Sequence, residues 1–259
     1  GIPKGQHGTD EIYRSSFRVP TNEALNYWVA RFDRLGVKHH GITEEFGVKT
    51  LAFEDFDEQQ YALVSDEGLD GIEAGTPWQD GPIPLEHAIT GLGPITIRIQ
   101  DFDYFKKVME QAMYYTEIAA EGAFHLFEVG EGGNGARVIV EHNDTLRPGR
   151  QGFGTIHHAA FRVNNREEIE AWNEHLRQIG FGTSGFVDRF FFQSLYARVA
   201  NGILFEWATD GPGFMGDEPY ETLGEKLSLP PFLEPKRAQI EAAVRPIDTV
   251  RSTKTFTKQ

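Results

Sequence analysis

The sequence predicts an α+β protein built from repeated βαβββ units that form curved mixed sheets, with three units visible of an expected four. Residues 15–28 match residues 159–172 at an offset of 144, with a shared Phe-Arg-Val run and a closing Trp. Each copy then passes from an apolar strand to a helix and on to short strands. Because such units bury their sheets in pairs, three units imply that one partner is missing.

The first visible unit covers about residues 12–75. A strand that ends in Phe17-Arg-Val19 runs into turn residues, and a helix follows until a glycine at position 36 stops it. The later runs Thr50–Phe53 and Tyr61–Val64 are rich in β-formers and are typical of strands. The linker that follows, Gly75–Pro84, is rich in Pro and Gly.

The other two units cover about residues 91–145 and 155–210. In the weaker middle copy, Gly93–Ile99 predicts a strand and Phe102–Met113 a helix, and later runs predict further strands. In the last copy, the strand Thr155–Val163 precedes a helix whose apolar positions have helical spacing. These positions are Ile169, Trp172 and Leu176.

Composition limits the classes of partner. The formal charge is −14, from 25 basic and 39 acidic residues, so a polyanion such as nucleic acid would be repelled. No apolar run approaches the roughly 20 residues of a membrane span, so we expect no membrane partner. The chain has no cysteine, which excludes disulfides and thiolate metal sites and fits a cytoplasmic protein.

His157 and His158 at the start of one strand, and Glu206 in a later strand, are the most informative residues. A His and a Glu from two strands of one curved sheet can meet at one metal ion. Two His and one carboxylate form the ligand set of non-haem Fe(II) oxygenases. Adjacent strand residues point to opposite faces, so we expect His157 and His158 not to bind the same ion.

A structural interpretation stands beside the metal hypothesis. The two histidines could be polar residues near a strand end, and a salt bridge could compensate Glu206 among its apolar neighbours. The first visible unit has Arg14 in the place of His158, and its Gln60–Val64 strand has no Glu. The fold itself therefore does not require the His–Glu pair.

Four segments in order resemble the vicinal oxygen chelate superfamily, and more narrowly its hydroquinone ring-cleaving dioxygenases. They are Gly154–Arg162, Asp188–Tyr196, Leu204–Phe214 and Leu229–Arg237. The resemblance implies four βαβββ units, with a metal held by a His of the first unit and by a His and a Glu of the fourth. It assigns the metal to His158 and Glu206, and a neighbouring catalytic role to His157.

The resemblance also places Tyr196 and Arg189 around the substrate. Without it, an aromatic core residue and a solvated Arg are the simpler interpretations of these two side chains. The opening residues Gly1–Gly8 resemble the segment between the family's first and second units. We therefore expect an incomplete metal site in this chain. Either the sequence is a fragment of a longer protein, which is the favoured interpretation, or the protein has lost the first unit.

The resemblance also implies a domain division. Residues 1–84 are expected to be the family's second unit, the remainder of an N-terminal domain, plus a linker. Residues 85–259 are expected to be a C-terminal domain of two units with a helical tail. A homo-oligomer is left open.

The expected function is that of an Fe(II)-dependent, extradiol-type dioxygenase that cleaves methyl- or chloro-substituted hydroquinones, with a small aromatic substrate and O2 as partners. Mn(II) is a credible substitute, because both metals accept N and O ligands. His157, Tyr196 and Arg189 are the candidates for proton transfer and for stabilising anionic oxygen.

Two other functions remain open, because the fold alone does not decide between them. One is a glyoxalase-like lyase or isomerase that uses the metal as a Lewis acid. The other is a non-catalytic protein of the same fold that sequesters an aromatic ligand. Oxygen uptake with a hydroquinone separates the dioxygenase from both, and bound metal separates the lyase from the sequestering protein.

Overall fold

The computed structural model describes residues 1–259 and contains the three predicted βαβββ units. The elements of the first unit are β1 Glu11–Val19, α1 Asn22–Leu35, β2 His39–Glu45, β3 Val48–Glu54 and β4 Gln60–Ser65. Those of the second are β5 Gly91–Leu92, β6 Ile95–Ile99, α2 Phe102–Lys107, β7 Thr116–Glu121, β8 Phe124–Glu128 and β9 Arg137–His142. Those of the third are β10 Ala159–Arg162, α3 Arg166–Gln178, β11 Val187–Asp188, β12 Gln193–Ala200 and β13 Ile203–Ala208, and α4 Arg237–Ala243 lies in the tail.

Two mixed sheets result. The larger sheet has the order β2-β3-β4-β1-β6-β9-β8-β7, with β5 paired to β1, and the smaller has the order β10-β13-β12-β11. In the first unit the order is therefore second, third, fourth, first strand, and the third unit shows the same order in reverse. Strand β1 of the first unit pairs antiparallel with β6 of the second, so the first two units share one sheet.

The repeat is also visible in the helix ends. The side chain of Thr21 caps α1 by accepting from Ala24 N, and the equivalent Asn165 caps α3 by accepting from Glu168 N. Gly36 (φ 68°) and Gly180 (φ 95°) follow the two helices in the left-handed region. The predicted helix over residues 102–113 is α-helical as far as Lys107 and continues as one π-helical turn, Val108–Ala112.

Contacts divide the chain into two compact units. One comprises Gly1–Ala159, Arg198–Phe205 and Thr257–Gln259, and the other comprises Ala160–Ala197 and Glu206–Phe256. The predicted domain boundary between residues 84 and 85 stays a prediction. No helix combines the length and the apolar character that a membrane crossing needs.

Each compact unit has its own buried core. In the first, Val19, Leu25, Leu51 and Leu63 form a cluster between α1 and the strands, each at most 1% exposed. In the second, the fully buried Ile169 and Leu176 of α3 lie on one helix face, as predicted. Trp172 on the same helix packs on Trp207 of β13, with ring centroids 5.4 Å apart, so this helix and strand are fixed to each other.

Candidate active site

His157 and His158 lie directly before β10 rather than within it. The predicted strand over residues 155–163 is therefore too long, because a turn occupies its first part. Thr155 Oγ1 accepts from Gly152 N at 3.0 Å and donates to Gly152 O at 2.9 Å, and Gly154 has a φ of 80°. These local hydrogen bonds compete with strand pairing, and the strand begins only at Ala159.

The two imidazoles face each other, so the expectation that they point to opposite faces is wrong. Their Nδ1 atoms are 2.9 Å apart, and the rings meet edge to face at 89° with centroids 5.1 Å apart. The alternation rule applies to residues inside a strand, and these residues lie outside one. A hydrogen bond at this distance requires one Nδ1 to carry hydrogen and the other to carry a lone pair.

Glu206 occupies the middle of β13 and is 3% exposed. Its neighbours in the strand, Phe205 and Trp207, are at most 1% exposed. A carboxylate at this depth is costly unless a hydrogen-bond donor or a cation compensates its charge. Trp207 packs on Trp172 and also lies 6.4 Å from Phe161, centroid to centroid, so the strand that carries Glu206 is held rigidly.

Arg189 and Tyr196 form a pair in the second compact unit. The Arg189 Nε donates to the Tyr196 hydroxyl at 3.3 Å, and its guanidinium lies 5.0 Å from the centre of the Tyr196 ring. Tyr196 lies on β12, and its backbone N–H donates to Ser184 Oγ. Arg189 does not lie on a strand, because β11 ends at Asp188.

The segment after β11 is a turn made by three consecutive phenylalanines. Phe190 has a φ of 70°, and its N–H donates to the Asp188 carboxylate at 2.8 Å. Phe191 stacks on Phe214 with centroids 5.1 Å apart, and Gly213 N donates to Phe191 O. These aromatic residues belong to the segment Asp188–Tyr196, but no role was predicted for them. The signal that could have found them is a Phe-Phe-Phe run two residues after Asp188, an Asp that can cap a turn.

The structure thus brings His157 to His158 and Arg189 to Tyr196. His158 and Glu206 belong to different compact units, and their meeting at one metal ion stays a prediction. No group of three or more His, Asp or Glu side chains is arranged to hold a metal ion. Of the remaining histidines, His125 contacts Glu117 at 2.7 Å and His39 contacts Asp33 at 3.0 Å.

Known proteins resemble this chain over most of its length. MhqA of Bacillus subtilis, which is named as a ring-cleaving dioxygenase, is 42% identical over 246 residues, 93% of this chain and 77% of MhqA. The chlorohydroquinone/hydroquinone 1,2-dioxygenase of Sphingobium indicum is 29% identical and matches 89% of this chain and 71% of its own length. A Bacillus subtilis crystal structure described as a dioxygenase superposes with a TM-score of 0.86 at 31% identity, covering 97% of this chain and 78% of that one.

No family model matches the chain. The fold and these relatives nevertheless define the class, because repeated βαβββ units in mixed sheets are the architecture of the vicinal oxygen chelate superfamily. The chain belongs to the ring-cleaving dioxygenase family of that superfamily.

Proposed function

We propose that this protein is a metal-dependent, extradiol-type dioxygenase that cleaves the ring of methyl- or chloro-substituted hydroquinones with O2. The relatives' names give the reaction class, and one of them names chlorohydroquinone and hydroquinone as substrates. The structural observation that carries the proposal is the carboxylate of Glu206, 3% exposed on an aromatic-rich strand. A buried carboxylate on a rigid element suits a metal ligand better than a surface role.

The imidazole and carboxylate donors of His158 and Glu206 suit a divalent cation. They supply two of the three protein ligands of the expected set. The imidazole of His158 and the carboxylate of Glu206 would hold Fe(II), and both would also accept Mn(II). The bound metal would supply the transfer of electron density from the ring to O2. With an Nδ1 hydrogen on His158 donated to His157 Nδ1, the Nε2 lone pair of His158 is the one available to a metal.

Arg189 and Tyr196 would stabilise charge and move protons. Tyr196 accepts a hydrogen bond from the Arg189 guanidinium, so the phenol oxygen lies next to a permanent positive charge. A substrate oxygen that becomes negative during ring opening would be stabilised by the same cation. A phenol hydroxyl that accepts from Arg189 can in turn donate its hydrogen to the substrate, which suits a general acid.

His157 would stabilise an anionic oxygen of the substrate, because a neutral ring whose Nδ1 accepts from His158 carries its hydrogen on Nε2. Its side chain is exposed and its backbone carbonyl accepts from Gln151 Nε2 at 3.0 Å. The exposed imidazole can exchange protons with water, while its Nδ1 holds the neighbouring histidine.

The test is oxygen consumption by the iron-loaded protein with methylhydroquinone. We expect one O2 consumed per ring and a product heavier than the substrate by two oxygen atoms, which separates ring cleavage from oxidation to the quinone. The Glu206→Ala variant, loaded in the same way, is the matched control for oxidation by free iron. Equal oxygen uptake without a ring-opened product in both proteins would overturn the proposal.

A further inference from the structure

A second stretch of chain holds the turn that precedes the two candidate histidines. Residues 3–9 run alongside residues 147–153, and six backbone hydrogen bonds join the two segments. Their contact is close, because a Cβ atom on Gly152 would lie only 2.3 Å from the carbonyl oxygen of Pro3. Only glycine permits such an approach of two backbones. Residues 3–9 therefore fix the position of the turn from outside it.

Gly5 is the point at which residues 3–9 reach the side chain of Thr155. A Cβ atom at position 5 would lie 2.3 Å from Thr155 Cγ2 and 3.0 Å from its Oγ1, so any larger residue would have to displace that side chain. Thr155 is β-branched, and its χ1 angle has few rotamers available. The contact with Gly5 therefore holds Thr155 in the rotamer that points its hydroxyl to Gly152.

Thr155 and Gln151 close the turn by two different contacts. The Thr155 hydroxyl bonds to both backbone groups of Gly152, and the Gln151 side chain donates to His157 O at 3.0 Å. Side chains that bond to nearby backbone groups in this way compete with strand pairing. Residues 154–158 are thereby kept out of β10, which begins at Ala159.

The closed turn determines which way the two imidazoles point. Inside a strand, neighbouring side chains point to opposite faces, whereas His157 and His158 face each other with their Nδ1 atoms 2.9 Å apart. The β-branched residues Thr155 and Ile156 favour a strand by themselves. Loss of the Thr155 hydroxyl would therefore allow this run to extend β10, and the two imidazoles would separate.

We propose that Thr155 is a positioning residue for the His157–His158 pair, and that Gly5 fixes Thr155 in that role. This inference rests on the proposed function, in which His158 binds the metal and His157 stabilises an anionic substrate oxygen. Thr155 acts through the backbone of the turn rather than on the substrate. Its hydroxyl maintains the hydrogen bond between the two Nδ1 atoms, and this bond leaves His158 Nε2 available to a metal.

The experiment compares Thr155→Val with Thr155→Ser in the full chain. Valine has nearly the size of threonine but no hydroxyl, whereas serine keeps the hydroxyl. Mn(II) binding is measured by electron paramagnetic resonance. It should be about 10- to 100-fold weaker in Thr155→Val, the scale for a residue that orients a metal ligand, and within about threefold of the unaltered protein in Thr155→Ser.

Gly5→Ala and Thr43→Val complete the comparison. Gly5→Ala keeps the Thr155 hydroxyl but displaces it from Gly152, so it should also weaken Mn(II) binding. The matched control Thr43→Val likewise removes a hydroxyl that donates to a backbone oxygen, here that of Thr50. Thr43 lies on β2, outside the turn, and its substitution should leave the Mn(II) affinity unchanged.

Nitrogen NMR of the metal-free protein gives a readout independent of turnover and of bound metal. A hydrogen shared between the two Nδ1 atoms should couple their nuclei in the unaltered protein and in Thr155→Ser. We expect no such coupling in Thr155→Val or Gly5→Ala. A purely structural role of Thr155 would lower the free energy of unfolding and leave the coupling in the folded protein unchanged.

A folded Thr155→Val variant that keeps both the coupling and the Mn(II) affinity would overturn the proposal. Absence of the coupling from the unaltered protein, or equal losses in Thr155→Val and Thr155→Ser, would do the same. If Thr155→Val does not fold, Gly5→Ala decides by the same two measurements. Failure of the unaltered, iron-loaded protein to open any hydroquinone ring would instead overturn the proposed function, and the NMR comparison would still decide whether Thr155 orients the imidazoles.

Discussion

The first and third βαβββ units have the same strand order, but they carry residues of different chemistry at two equivalent positions. Position 14 of β1 corresponds to position 158 at the offset of 144, and position 62 of β4 corresponds to position 206. The first unit has Arg14 and the fully buried Ala62. The third has His158 and Glu206. The same architecture thus carries an arginine and a methyl group in one copy, and two potential metal ligands in the other.

In the first unit the charge at this position is satisfied within the fold. The Arg14 guanidinium makes two bonds to the Glu45 carboxylate, at 2.9 and 2.5 Å, and its Nε donates to Thr96 Oγ1. Burial lowers the pKa of Arg14, but the hydrogen bond and charge of Glu45 outweigh it and the pKa is raised. The cavity beside this pair has a volume of only about 20 Å³, room for a single water.

The same fold therefore serves stability in the first unit and proposed chemistry in the third. Where a buried cation and carboxylate neutralise each other, the fold gains a fixed contact and leaves little volume for a ligand. The second compact unit instead contains a cavity of about 620 Å³ and the Arg189–Tyr196 pair. We therefore expect substitutions at Arg14 to change stability alone, and substitutions at Glu206 and Tyr196 to change activity.

The largest effect is expected from Glu206→Ala. This change removes the proposed anionic ligand, so oxygen consumption with methyl- or chlorohydroquinone should fall by more than ~10²-fold, beyond the usual cost of losing a residue that supports a metal ligand. An oxygen electrode measures it, with iron quantified in the same samples. Turnover equal to that of the unaltered protein would show that the buried carboxylate is structural, like the ion pair of the first unit.

Tyr196→Phe should have the second largest effect. It removes one hydroxyl and the bond from Arg189, so kcat should fall by roughly 10²-fold, the scale of general acid–base catalysis. Iron content should stay the same, because Tyr196 is not proposed as a ligand. Steady-state kinetics and iron analysis on one preparation measure both. Loss of iron in this variant would place Tyr196 on the metal and would contradict its role in proton transfer.

Arg14→Ala should lower stability without changing kcat. It leaves Glu45 without its cation, but the Glu45 side chain is 30% exposed, so the cost falls below that of a fully buried pair, at about 2 kcal/mol. Urea unfolding measures the free energy of unfolding. The matched control Arg166→Ala breaks an ion pair with Glu170 in which both side chains are 56% exposed. It should cost less than ~0.5 kcal/mol, and equal losses in the two variants would remove the contrast.

Much of the fold could be predicted because the repeated units share the same kinds of residue at their helix ends and in their cores. Thr21 and Asn165 cap equivalent helices, and Gly36 and Gly180 end them. The pattern of apolar residues fixed the helix face of Ile169 and Leu176. These features depend on local chemistry that a single sequence displays.

The details of the site could not be predicted, because turns override the strand pattern there. The strand predicted from residue 155 begins only after His158, because Thr155 bonds to Gly152, and β11 ends before Arg189, where the Asp188 carboxylate accepts from Phe190 N. In both cases one side chain bonds to a nearby backbone group. The apolar periodicity of the neighbouring residues contains no sign of this, and so the facing imidazoles and the Phe190 turn emerged only from the structure.

The most direct test is a metal-binding titration. It asks whether His158 and Glu206 bind a metal ion and whether the equivalent Arg14 of the first unit takes no part. Mn(II) binding followed by electron paramagnetic resonance would be measured for the unaltered protein, His158→Ala, Glu206→Ala and Arg14→Ala. We expect His158→Ala and Glu206→Ala to weaken Mn(II) binding by more than ~10-fold, and Arg14→Ala to bind Mn(II) like the unaltered protein. Unchanged affinity in the folded His158→Ala and Glu206→Ala variants would contradict this expectation.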